Sequence, residues 1–471
     1  MTTAKMKQLF DGVTGWAVAF RAGLADMATV PRKSYAESLA EFSEPVPETG
    51  QDWDSILDEL KARSEGAMLM QTSPRFFGWV MGATHPAGIA AEFFTAASGQ
   101  MVAHPGATPA NSAIEAVTER WILDLLDLPR QSSIGFVSGA TIANFTCLVA
   151  ASGEVLRRVG WDANADGLFG APPITVLIGE DAHSTVFMAL QYAGLGHRRV
   201  VKVATDSQGR MRPDAFAVEI AKVEGPAIVI LQAGQINTGD SDPFADIVPM
   251  ARKAGAWVHV DGAFGLWARA APTLKHLTAG IDLADSWVAD GHKWLQAPYD
   301  CGFAIVKDEL AHRRAMSIAA SYLPAAQAGE RVPFNYVPEL SRRARGNSTW
   351  AVIKALGRAG ITEMVERHCR VARQMAERLA SEPGVAVVNG VVINQVAVRF
   401  GTDLGDAESD RLTTATIARI QDDGVCFAGG AEWHGRQIMR ISVTSRETNE
   451  EDGRRSAEAM LAAYRNVRQQ G

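Results

Sequence analysis

Between Ile134 and Val306 the chain repeats one pattern: a short apolar run, a polar or glycine-bearing turn, then a longer stretch of helical character. The apolar runs are IGFV, ITVLIGE, RVVKV, AIVILQ, AWVHVD, SWVA and GFAIV. Short, β-branched and nearly continuous apolar runs suit strands buried on both faces. Their alternation with helical stretches predicts an α/β fold built on a mostly parallel seven-stranded sheet, with helices on both sides.

The flanks carry other periods. Before residue 70 the pattern predicts helices over LFDGVTGWAVAF, SYAESLAEF and DSILDELKARSEGAMLM, with a link broken at Pro45 and Pro47. Isolated helices of this kind bury little by themselves, so they need another surface to lie on. An aromatic-rich irregular stretch, Ser73 to Trp79, precedes a helix over AVTERWILDLLDL. The Gly-, Pro- and Arg-bearing stretch from Tyr322 to Gly346 interrupts the alternation. Beyond it the sequence predicts a helix over STWAVIKALGRAG and its continuation, strands over VAVVNG and QVAVRF, a helix over TATIARIQDDG, a strand over MRISVT and a terminal helix. The expected organisation is an N-terminal helical segment (residues 1–70), a large α/β domain (71–346) and a small C-terminal α+β domain (347–471).

Composition narrows the function classes. A 47% hydrophobic, 21% charged chain has enough apolar surface for a large core and is not a disordered one. A net charge of −7 favours neither a nucleic-acid nor an anionic-membrane partner. Cys147, Cys301, Cys369 and Cys426 are scattered without metal-ligand spacing, so no metal is expected, and reduced thiols in the cytoplasm are. The run from Gly12 to Phe20 is too short for a membrane span, and no targeting segment is expected.

Candidate chemistry gathers at the ends of the apolar runs. Lys293 sits in Asp290-Gly291-His292-Lys293-Trp294, between the runs SWVA and GFAIV. A lysine buried there favours its neutral amine, which can form a Schiff base with a carbonyl; a surface lysine in a connecting loop has the same local sequence. Upstream, Asp261 ends AWVHVD, at the carboxyl end of a strand where ligands of open α/β sheets bind. Ser138-Gly139-Ala140-Thr141 follows IGFV and opens a helix, which suits an anion, although Ser and Thr cap helices everywhere. His183 follows ITVLIGE in Asp181-Ala182-His183-Ser184, and Asn237-Thr238-Gly239 follows AIVILQ.

Taken in order, these motifs resemble the group II pyridoxal-phosphate-dependent amino-acid decarboxylases, the family of aromatic L-amino-acid decarboxylase, from about residue 50 to about residue 450. The resemblance implies the aspartate-aminotransferase-like fold (fold type I) and pyridoxal 5′-phosphate as cofactor. It implies that Lys293 carries the cofactor, Asp261 pairs with the pyridine nitrogen and His183 lies against the ring and orients the substrate carboxylate. Ala140 and Thr141 become the phosphate cup, with Ile142 where the family usually has an acid. His292 falls near the phosphate. Asp290, which would repel an anion, is expected to fix backbone instead. Asn237 to Gly239 resembles a loop beneath the ring, and equally an ordinary strand-end turn.

Tyr322 matches a loop tyrosine that returns the proton to Cα after CO₂ leaves; members with phenylalanine there form aldehydes. Trp79 and Val80 match positions lining the side-chain pocket, which favours an aromatic or other large apolar amino acid as substrate. Arg342, Arg343 and Arg345 fall near the family's active-site entrance and remain unassigned. A homodimer is implied, with the N-terminal helices on the partner subunit. The expected activity is decarboxylation of an L-amino acid to its amine. An aldehyde synthase or other lyase on the same cofactor is the alternative, and a cofactor-binding protein without turnover the non-enzyme one. Met188 and the stretch Gly430 to Gly435 depart from the common family pattern and leave the substrate open.

Overall fold

In the computed structural model, residues 2–317 and 329–470 are described. All seven apolar runs of the middle of the chain are strands of one sheet: β1 (Ser133–Val137), β2 (Thr175–Gly179), β3 (Val201–Val203), β4 (Ala227–Gln232), β5 (Trp257–Asp261), β6 (Ser286–Asp290) and β7 (Gly302–Val306). Their order is β1-β7-β6-β5-β4-β2-β3. The neighbours from β6 through β5, β4 and β2 to β3 run parallel, and β7 is antiparallel to both β6 and β1. The mostly parallel sheet is therefore present. Every residue of β1, β4, β5, β6 and β7 is buried, which is why those runs lack polar alternation.

Two consequences position the site. The reversed β7 pairs Gly302 with Val137, so the turn that leaves β1 meets the loop that enters β7. The parallel strands β2, β4, β5 and β6 also share one carboxyl edge, where His183, Gln232, Asp261 and Asp290 stand.

By spatial grouping the chain forms two compact units. The larger comprises Val80–Arg373 and Val388–Ala397 and holds the seven-stranded sheet. Among its helices are α4 (Pro86–Ala97), α5 (Pro109–Leu125) and α6 (Ala140–Arg157). Within it, Arg342 of a two-residue strand paired with Met101–Val102 makes a buried bidentate bond to Glu115 of α5, at 2.6 and 2.8 Å. Arg343 and Arg345 both bind Asp300. The basic cluster is thus internally paired and not a solvated face.

The other unit comprises Met1–Trp79, Gln374–Val387 and Val398–Gly471. It begins with α1 (Thr3–Gly23), α2 (Tyr35–Phe42) and α3 (Trp53–Ser64), none of which has a buried residue. Ser34 and Glu37 cap α2 reciprocally, a pattern legible as Ser-x-x-Glu. The aromatic stretch after α3 is tied by Phe77 N–H to the Phe427 carbonyl and by Ser442 N–H to the Phe77 carbonyl. The small sheet orders β8 (Val385–Val387), β9 (Gln395–Phe400), β10 (Gly429–Trp433) and β11 (Arg436–Ser442) as β8-β9-β11-β10. The hairpin strand β10 had no signal in the sequence, because Gly429 and Gly430 are poor strand formers. Its turn places both His434 and Gly435 at positive φ.

Candidate active site

A cavity of about 220 Å³ opens at the carboxyl edge of the large sheet. Its lining includes Gly139, Ala140, Thr141, His183, Asp261, Asp290, His292 and Lys293, residues drawn from four separate parts of the sequence pattern. Gln232, Gly234, Ile236, Ala263, Phe264 and Thr185 complete it, and none of these had been singled out. They flank strand ends already marked by Asp261, His183 and AIVILQ, so the available signal was position after a strand and not residue type.

Lys293 occupies a loop with little freedom. Gly291 and His292 N–H groups both donate to the Cys301 carbonyl, and Cys301 N–H donates to His292 Nδ1 at 3.1 Å. Ala297 N–H donates to the Gly291 carbonyl, and the Gln296 amide donates to the carbonyls of Lys293 and Trp294. Gly82 N–H donates to the His292 carbonyl from outside the loop. A Cβ on Gly82 would come within 2.3 Å of the Lys293 carbonyl oxygen, so only glycine permits that approach.

The Lys293 ammonium lies 3.0 Å from Asp290 Oδ2, and His292 Nε2 lies 3.6 Å from the same oxygen. Asp290 is only 2% exposed, and its Oδ1 has no hydrogen-bond partner among the described residues. Asp290 was expected to fix backbone, and its side chain has a further role. The main chain does the fixing, through N–H to the Ala263 carbonyl and C=O to Trp267 Nε1, while the carboxylate faces the lysine. Burial lowers the pKa of His292, and the nearby Asp290 carboxylate opposes that shift. His292 also stacks on Tyr299 with ring centroids 4.3 Å apart; burial pushes the Tyr299 phenol up.

The turn after β1 is shaped for close approach. A Cβ on Gly139 would meet His292 Cε1 at 3.1 Å, and one on Gly302 would meet Gly139 Cα at 2.5 Å. Ala140 then begins α6, whose first-turn N–H groups point outward at the cavity end with the positive end of the helix dipole. Ile142 is the third residue of that helix and leaves the backbone cup intact.

Asp261 closes β5, 8% exposed, with Oδ1 accepting from Ala263 N–H at 3.1 Å and Oδ2 from Asn144 Nδ2 at 3.4 Å. His183 caps the helix Ser184–Tyr192, its Nδ1 engaged with Thr185 N–H and Oγ1, which fixes the ring plane. The loop Asn237–Gly239 is braced elsewhere: Thr238 Oγ1 donates to the Gln208 carbonyl, and Asn389 donates to the Thr238 carbonyl. Its neighbours Gly234 and Ile236 line the cavity instead.

The two residues expected to line a side-chain pocket lie outside this cavity's lining. Val80, 4% exposed, belongs to the hydrophobic core and is not among the described residues lining the cavity. Trp79 belongs to the other unit, where it is exposed at φ +50° and packs against Phe76 and Phe427. An aromatic pair at the end of an apolar stretch reads the same whether it packs or recognises. Tyr322 lies outside the described residues.

The arrangement offers a covalently competent amine, two carboxylates, an imidazole face and a backbone anion cup around one volume. The family described as "Pyridoxal-dependent decarboxylase conserved domain" matches residues 36–401. An aromatic-L-amino-acid decarboxylase of Bacillus atrophaeus is 26% identical over 423 residues, covering 87% of this chain and 85% of its own. A phenylacetaldehyde synthase of Arabidopsis thaliana is 25% identical, covering 86% of this chain and 84% of its own. Among solved structures, Oryza sativa TDC with PLP and tryptamine superposes with a TM-score of 0.92 at 21% identity, covering 99% of both chains.

The charge arrangement around His292 has a measurable sign. Its titration midpoint in cofactor-free protein should lie below the ordinary value of about 6.5. Asp290→Asn removes the carboxylate that opposes burial, so the midpoint should fall further, and proton NMR of the His292 Cε1–H reads both shifts. A midpoint that rises in Asp290→Asn contradicts the assignment.

Proposed function

The chain belongs to the pyridoxal-dependent decarboxylase family, and from that premise we propose that its cavity decarboxylates an aromatic L-amino acid to the amine and CO₂. The protein is a pyridoxal-phosphate-dependent amino-acid decarboxylase of the aspartate-aminotransferase-like fold. What supports the residue assignments is that Lys293, Asp261 and His183 line one cavity together with a turn at a helix N-terminus that Gly139 keeps open. That donor set fits a phosphate-bearing cationic heterocycle with a reactive carbonyl carbon. The aromatic preference rests on relatives named for aromatic amino acids and their aldehydes.

Each residue then has a task. When bound, the cofactor supplies an electron sink for the bonding pair released as CO₂ departs. Lys293 Nζ attaches it, and the Asp290 carboxylate beside that nitrogen holds the side chain in place. Ala140, Thr141 and the flanking His292 hold the phosphate; the cup contributes N–H donors and His292 fills the space beside Gly139. Asp261 pairs with the ring nitrogen through a charge-assisted hydrogen bond. His183, its plane fixed by Thr185, would offer its imidazole face to the bound cofactor and orient the substrate carboxylate. Tyr322 donates the proton that Cα receives after CO₂ loss.

We place two copies in the working enzyme. The helices α1 to α3 have no buried residue, and Phe10, Trp16, Tyr35, Leu39, Phe42, Trp53, Ile56 and Leu60 are exposed there. So many apolar side chains facing solvent call for a covering surface, and a second copy of the chain supplies it by symmetry. We also place the enzyme in the cytoplasm, consistent with four free, buried cysteines; no helix among the described residues is long and apolar enough to cross a membrane.

Three outcomes test this reading. Incubated with the twenty amino acids, the protein should release CO₂ from aromatic ones, and borohydride should fix the cofactor to Lys293. Lys293→Ala should lose both, and a cofactor still fixed in that variant means another lysine carries it. Mass measurement in solution should give twice 50.5 kDa; a fully active monomer removes the dimer. Tyr322→Phe deletes one hydroxyl, and since a placed general acid is worth about 10²–10⁴-fold, amine formation should fall by that order. Aldehyde, hydrogen peroxide and oxygen uptake should rise in its place, and wild-type amine yield in this variant would show that Tyr322 is not the acid.

A further inference from the structure

Behind Asp261, away from the cavity, four polar side chains lie fully buried. Trp257 and His259 precede Asp261 on β5 at alternate positions, so all three share one face of the strand. Ser286 sits opposite His259 on the neighbouring β6. Asn144 comes from α6, one turn after Ala140. Trp257 Nε1 lies 2.9 Å from Ser286 Oγ, Ser286 Oγ 2.8 Å from His259 Nδ1, and His259 Nε2 2.7 Å from Asn144 Oδ1. Asn144 Nδ2 lies 3.4 Å from Asp261 Oδ2. Exposure is 1% for Trp257 and 0% for Ser286, His259 and Asn144, so water does not compete for these bonds.

Both ends of this series have fixed polarity. An indole N–H only donates, so Ser286 Oγ accepts from Trp257 and keeps one proton and one lone pair for His259 Nδ1 and the Cys147 thiol. An ionised carboxylate only accepts, so the Asn144 amide turns its NH₂ toward Asp261 and its oxygen toward His259. With the Asn144 oxygen turned toward it, His259 Nε2 must carry the proton, and the neutral ring's Nδ1 is left to accept from the Ser286 hydroxyl. Burial lowers the His259 pKa to about 4, so the ring is neutral and has one proton to give.

We propose that Asn144, His259 and Ser286 are positioning residues that form a one-way hydrogen-bond chain, orienting the Asp261 carboxylate toward the cofactor's ring nitrogen. This rests on the reading of Asp261 as the partner of that nitrogen. Every donor in the chain points toward Asp261, so the dipoles add at the carboxylate, and each bond polarises the next. Asn144 and Ala263 N–H hold separate oxygens and stop the group from rotating. The same helix thus brings its first residues to the cavity and Asn144 to the back of Asp261. The titratable groups facing this assembly are Asp261 itself and Cys147 on α6, whose thiol burial pushes up and which also bonds to Ser286.

The test uses holoenzyme loaded with cofactor labelled with ¹⁵N in the ring. The ring nitrogen should be protonated in wild type, with His259 showing its proton on Nε2. Asn144→Leu and His259→Phe should lower the pH at which the ring nitrogen loses its proton by about one unit and weaken cofactor binding about tenfold. Ser286→Ala, a milder change at the far end, should shift both in the same direction by less. His259→Gln, whose amide can accept from Ser286 and donate to Asn144, should restore most of the effect. His312→Phe, a second buried histidine outside the cavity lining, should alter melting temperature without moving the ring titration. An unprotonated ring nitrogen in wild type overturns the role of Asp261 itself. A protonated one that titrates alike in wild type, Asn144→Leu and Ser286→Ala overturns the chain alone, as does a wild-type His259 protonated on Nδ1.

Discussion

The pairing of Lys293 with Asp290 inside the protein constrains everything around it. Two opposite charges 3 Å apart attract by on the order of 5 kcal/mol at an effective dielectric of about 20, and each loses several kcal/mol of hydration when buried. The pair is therefore near balance, and its free energy depends on geometry. The loop from Gly291 to Ala297 supplies that geometry through main-chain bonds, with glycine at position 82 to let a second segment lie against the Lys293 carbonyl. Asp290 keeps one oxygen without a described partner, so the site holds acceptor capacity in reserve beside the amine it controls. A lysine whose neighbour was mobile would spend its time in water.

Sheet topology turns this local pair into a site. Had β7 run parallel to β6, the chain after Lys293 would have needed a crossover, and Gly302 would not face Gly139. Reversal lets a short loop carry the lysine, its carboxylate and His292 directly to the turn that opens α6. The absence of side chains at Gly139 and Gly302 is part of the same packing, since either Cβ would push apart the two segments that form the anion cup. Asp261 arrives from the parallel strand β5 next to β6 and needs no further device.

Much of this was legible because buried strands and loop chemistry have separate signatures. The seven apolar runs became the seven strands, and Lys293, Asp261 and His183 stood at their ends, where a polar residue after an apolar run is conspicuous. Hidden residues failed for identifiable reasons. Asn144 lies inside a helix among small and apolar residues, and His259 lies inside an apolar strand, so each looks like an isolated core polar group until the partner from another element is known. The strand β10 was masked by its paired glycines. Val80 follows an aromatic motif whose sequence is the same in a core as in a pocket, and only burial separates the two. Asp290 was read from charge alone, which says what it repels and nothing about the amine three residues on.

The protein contains a comparison that shows what makes a buried imidazole part of a site. His259 and His312 are both fully buried, with pKa values pushed by burial down to about 4 and about 3. In each a serine hydroxyl lies beside Nδ1 (Ser286 at 2.8 Å, Ser133 at 2.9 Å) and an amide oxygen lies beside Nε2. Their contribution to stability has the same sign: it is complete above about pH 6.5 and declines as the unfolded chain's histidines take up protons below it. What differs is the oxygen beyond Nε2. For His312 it is the main-chain carbonyl of Tyr336, already committed to the peptide dipole, and the chain of bonds stops there. For His259 it belongs to Asn144, whose other end carries two protons and delivers one to a carboxylate at the cavity wall. Identical packing thus becomes chemistry only where the last acceptor in the chain is a charged group facing the cavity.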